Sequence, residues 1–109
     1  MKIVHGTTES VRAKVSFRRE GAYVDISQDT VEMAFPAAGV AVEEGDFNTA
    51  AWEVNDEIDP PDYIASCLVG PGGVDLDVGA YDIYVRVTDD PEIPIKQVDD
   101  TLDVVDGLI

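Results

Sequence analysis

Apolar and polar residues alternate along most of this chain. The clearest case is Tyr81-Asp-Ile-Tyr-Val-Arg-Val-Thr88. In an extended strand Tyr81, Ile83, Val85 and Val87 share one face, and Asp82, Tyr84, Arg86 and Thr88 share the other. Ser10 to Arg18 repeats the pattern, with Val11, Ala13, Val15 and Phe17 inward and Arg12, Lys14, Ser16 and Arg18 outward. Shorter strands fit Tyr23 to Ile26, Thr30 to Phe35 (stopped by Pro36), Ala50 to Val54 and Tyr63 to Val69. A closing strand is expected at Ile95 to Val98 or at Thr101 to Val105. Ala37 to Asn48 is small, acidic and punctuated by glycine. It predicts a loop or an edge strand around Val40 to Val42, with room for a short helical turn near Asp46 to Asn48. No segment sustains apolar residues at i, i+3 and i+4, so no long helix is expected. Seven or eight short strands separated by turn residues predict an all-β antiparallel sandwich, and 109 residues make residues 1–109 one domain.

The turn before the Tyr81 strand narrows the class. Asp77-Val-Gly79-Ala-Tyr81 resembles the E–F corner of immunoglobulin-like sandwiches, where a tyrosine near the start of strand F turns its hydroxyl back to the upstream backbone. The resemblance implies an immunoglobulin-like fold and that bond for Tyr81. A single Trp52 on a middle strand suits the anchor of a small core. Trp52, Tyr81, Ile83, Val85, Val15 and Phe17 are therefore the expected core.

Charge changes the picture of partners. The chain carries 23 acidic and 7 basic residues, a formal net charge of −16. Such a field repels nucleic acid and anionic membrane surfaces, so neither is an expected partner. Solubility, complementarity to a basic partner and adaptation to high salt each account for the acidity. Four of the seven basic residues lie between Arg12 and Arg19, which concentrates positive charge on one strand. The N-terminus shows no apolar signal segment, and no run approaches the ~18 apolar residues of a membrane span. Manufacture in the cytoplasm without secretion is the expectation.

Candidate chemistry is sparse. Cys67, the sole cysteine, lies in an apolar run and reads as a buried structural thiol. His5, the sole histidine, has no nucleophile or second ligand in motif spacing. Gly70-Pro-Gly-Gly73 lacks the lysine and helix of a phosphate loop and reads as a hairpin turn. No catalytic residue, cofactor or metal is assigned. Asp75, Asp77, Asp89, Asp90 and Glu92 are the weak candidates for calcium, which takes carboxylate and carbonyl oxygens. Thr88-Asp-Asp-Pro91 resembles the calcium linkers of cadherin-type sandwiches without their asparagine pattern. Turn formation by Asp and Pro accounts for the same residues.

From Trp52 to Val105 the chain resembles small virion proteins of tailed bacteriophages, especially those of actinobacteria. The residues concerned are Trp52, Cys67-Leu-Val-Gly-Pro-Gly-Gly73, Gly79-Ala-Tyr-Asp-Ile-Tyr-Val-Arg-Val-Thr-Asp89, Pro91-Glu-Ile-Pro94 and Thr101-Leu102. Asp99-Asp100 replaces the glycine usual before the final strand. The resemblance implies a non-enzymatic structural subunit of the virion, present in many copies or as a homo-oligomer. The expected role is a capsid-associated accessory or decoration subunit bound to other virion proteins. A neck or tail component is the near alternative, and an acidic ligand- or calcium-binding module is the alternative of another class. Like charges must not meet at an interface, so the non-acidic surfaces are the expected contacts: Arg12, Lys14 and Arg18, and the apolar ends Ile3, Val4, Leu108 and Ile109. Pairing of a terminal strand at a sheet edge accounts equally well for the apolar ends.

Overall fold

The computed structural model describes residues 1–15, 18, 19, 22, 23, 26, 28–55, 57, 62–88 and 95–106. Among the described residues ten strands run in chain order: β1 Lys2–Val4, β2 Glu9–Val15, β3 Arg18–Arg19, β4 Ala22–Tyr23, β5 Thr30–Ala34, β6 Phe47–Thr49, β7 Ala51–Asn55, β8 Asp62–Val69, β9 Gly79–Thr88 and β10 Ile95–Val105. One sheet has the order β1-β10-β9-β5-β6 and a second the order β2-β8-β7, while β3 and β4 pair only with each other. With β9 and β10 as strands F and G, the orders become G-F-C-C′ and B-E-D, the two layers of an immunoglobulin-like sandwich. The expected fold class is therefore the observed one.

The alternation seen in the sequence explains the two layers. Val11 and Ala13 of β2, and Ala65, Cys67 and Val69 of β8, face Val31 and Met33 of β5, Ile83, Val85 and Val87 of β9, and Leu102 and Val104 of β10. The alternate residues of these strand segments meet on this one core. Val15, Trp52 and Tyr81 pack against its margin, and Phe17 lies outside the described residues.

Four expectations are corrected. The sandwich is not antiparallel throughout, because β1 pairs parallel with β10, Ile3 opposite Val104. The two candidate closing strands are one strand, β10, with a register shift between Gln97 and Thr101 that absorbs Asp99 and Asp100. The Gly70–Gly73 turn is not a hairpin, since β8 and β9 belong to different sheets. Trp52 is half-buried rather than central, because β7 is an edge strand. Its ring meets Tyr63 edge-on at 6.2 Å, and its indole N–H donates to the Asp29 carbonyl at 2.8 Å. Ala37–Val42 forms a loop, and the helical turn falls at Glu44–Asp46, just before the expected place.

Candidate functional site

The E–F corner forms as the spacing implies. The Tyr81 hydroxyl donates to the Asp77 carbonyl at 2.7 Å, tying the start of β9 to the segment that enters it. One turn earlier the chain crosses itself. Gly70 sits at φ 119°, and a Cβ there would stand 2.1 Å from the Thr7 carbonyl oxygen, so only glycine fits. The Thr8 hydroxyl donates to the Pro71 carbonyl at 2.6 Å and closes the crossing.

Beside this crossing lies a cleft of ≈ 270 Å³ that includes His5, Thr7, Pro71, Asp75 and Asp77. It brings together two of the calcium candidates, Asp75 and Asp77, both with exposed side chains. Asp89, Asp90 and Glu92 lie outside the described residues. Among the described residues no group of three or more His, Cys, Asp or Glu is placed to hold a metal ion.

The basic strand is positioned as expected but not electrostatically bare. Arg12 and Lys14 project from the outer face of β2. Arg12 Nε donates to Glu53 Oε2 of β7 at 2.7 Å, and Lys14 Nζ stands 2.8 Å from Asp62 Oδ1 of β8. These are exposed pairs, worth roughly 0.2–1 kcal/mol each. Their effect on partners is larger, because the expected positive stripe becomes a mosaic of both signs. Of the apolar ends, Ile3 needs correction as a contact residue. It is 2 % exposed, its side chain docked into the core by the pairing of β1 with β10 rather than at the surface. Val4, its outward neighbour on β1, stays exposed. The side chain of Arg18, and Leu108 and Ile109, lie outside the described residues.

The most elaborate polar arrangement was not singled out from the sequence. Arg86 occupies the outer face of β9 yet is 9 % exposed. Its Nε and Nη2 donate to the Glu32 carboxylate of β5 at 3.0–3.1 Å. Nη1 reaches Glu44 of the helical turn, and the guanidinium lies 4.1 Å from the centre of the Phe47 ring of β6. The Glu32 hydrogen bond, above all, pushes the Arg86 pKa further up, with Glu44 adding to it and burial opposing. A sequence signal existed: an arginine between Val85 and Val87 in a central strand, with glutamates on candidate neighbours. Every Arg86 nitrogen has a partner, so the cluster ties β5, β9 and the helical turn together. Cys67 is buried, and burial raises its thiol pKa, which favours the thiol over the thiolate.

A second concavity, an open groove of ≈ 480 Å³, runs where the chain passes from β6 to β7. Thr49, Ala51, Cys67, Leu68, Gly72 and Val74 are among the residues that line it, and no charged residue does. Compared with protein-family models, curated proteins and solved structures, the chain matches none.

Proposed function

We propose that this chain is a non-enzymatic structural subunit of a tailed-phage virion, a capsid-associated accessory protein that binds neighbouring virion subunits. The observation that supports the reading is where the resemblance falls. Its segments are framework: the Gly70–Gly73 turn that clears the Thr7 carbonyl, the Tyr81 corner, and the β9 and β10 strands that carry the larger sheet. On the outer face of β2 Arg12 and Lys14 are paired with Glu53 and Asp62, which suits contacts between rigid surfaces.

Immunogold electron microscopy of purified particles from the encoding phage tests this. Label in many copies on the head is the expected result. Label confined to the neck or tail would move the subunit there, and particles without label would overturn the reading.

A further inference from the structure

β1 is only three residues long and lies at the edge of the larger sheet, yet it is bound along its whole length. Lys2, Ile3 and Val4 stand opposite Asp103, Val104 and Val105 of β10, and the two strands run parallel. The Asp103 N–H donates to the Met1 carbonyl at 2.8 Å, and the His5 N–H donates to the Val105 carbonyl at 2.8 Å. The ladder therefore reaches one residue past β1 at each end. The Met1 amino group adds a bond to the Thr101 carbonyl at 2.9 Å.

Alternation along β1 locks this register. Ile3 is 2 % exposed and belongs to the core cluster that holds Leu102 and Val104, whereas Lys2 and Val4 face outward. A slip of one residue along β10 would turn Ile3 to solvent and bring Lys2 or Val4 inward. Sliding has no easy first step, because the ladder and the Ile3 side chain must give way together.

Parallel pairing decides the direction in which that matters. The chain enters β1 at one end of the pair and leaves β10 at the other, where Val4 faces Val105. A force that draws Lys2 away from Asp106 acts along the two strands in opposite senses. It slides one past the other and loads the bonds of the ladder all at once. His5 and Asp106 instead lie level at one end of the pair, each following a residue of the Val4–Val105 match. A force between them acts across the ladder and loads its bonds one after another. An antiparallel pair at this place would set the two ends of the domain side by side, where pulling could only peel them.

We propose that the β1–β10 pair is a tension clamp. A load that enters ahead of β1 passes out after β10 through a sheared ladder, without opening the core. The inference follows from the topology and does not depend on the virion reading.

Single-molecule pulling with optical tweezers tests it. Handles are attached to cysteines introduced at exposed positions, in a Cys67→Ala background shared by every arm. Lys2→Cys with Asp106→Cys shears the pair, and His5→Cys with Asp106→Cys peels it. The expected result is a single rupture at a distinctly higher force in shear than in peeling. Equal forces would overturn the clamp. So would an early step in shear of up to roughly 23–25 Å, the extended length of residues 2–8, since β1 would then be leaving before the core opens. Ile3→Ala removes the core anchor and keeps the backbone ladder. It should lower the shear force and leave the peeling force unchanged, because peeling begins at the His5–Val105 bond. A general loss of stability would lower both. If Ile3→Ala does not fold, Ile3→Val should show the same one-sided loss at smaller size. A shear force that neither variant moves would overturn the clamp as well.

Discussion

Tyr81 shows how far a single residue's role follows from its neighbours in sequence. Its hydroxyl reaches a carbonyl four residues upstream, so spacing alone nearly determines the contact. Tyr81→Phe keeps the ring against the core margin and deletes the hydrogen bond. The expected loss is about 1 kcal/mol, a net hydrogen bond at a half-exposed site, read as a lower urea midpoint at unchanged slope. An unchanged midpoint would mean that water replaces the bond without penalty. Trp52 shows the opposite case. A large aromatic ring in an alternating strand promises a core position, but depth depends on how many strands flank it. β7 has β8 on one side only, so Trp52 stays half-buried and uses its N–H on Asp29.

Among the elements, β5, β9 and β6 are joined twice: by their backbone ladders and by Arg86. The side chain ties Glu32 of β5 to Glu44 of the helical turn over the Phe47 ring of β6. Alternation identified Arg86 correctly as outward, and outward normally means exposed. It is covered because Glu44 of the helical turn bonds to it and the Phe47 ring of β6 lies against its guanidinium. Arg86→Met should lower stability by about 2–3 kcal/mol, since the half-buried Glu32 carboxylate loses its partner. Glu44→Gln should lower it by less than about 1 kcal/mol, because the Glu44 side chain is 85% exposed. Equal losses in thermal or urea unfolding would mean that the clamp does not work through Glu32. β1 belongs at this scale too. Three residues are too few to announce a strand, and only the open edge of β10 makes them one.

At the scale of the whole molecule the acidity is the dominant property. Sixteen uncompensated negative charges oppose compaction, and screening relieves that repulsion. Sodium chloride should therefore raise the melting temperature of the dilute monomer, and calcium chloride at matched ionic strength should raise it equally. A further, saturating rise specific to calcium would reveal an ion site, with Asp75 and Asp77 the first to substitute. The repulsion also bears on assembly, because it leaves few surfaces on which copies can meet.

The positions of β2, β5, β7, β8 and β9, the two-faced pattern of β2, β5, β8 and β9, the corner and the fold class were legible in the sequence, whereas β1 and β6, three residues each, were not. Each depends on contacts within a strand or turn, where period and spacing carry the information. Tertiary structure alone decided what depends on neighbours distant in the chain. It placed Ile3 in the core beside β10 and merged Ile95–Val98 with Thr101–Val105 across a register shift. It also turned the basic strand into paired charges by setting Glu53 and Asp62 next to Arg12 and Lys14. The groove at Cys67 exists only because β6 and β7, consecutive in sequence, lie in different sheets. No local pattern encodes such a gap, since its walls come from segments that meet only when the two layers close.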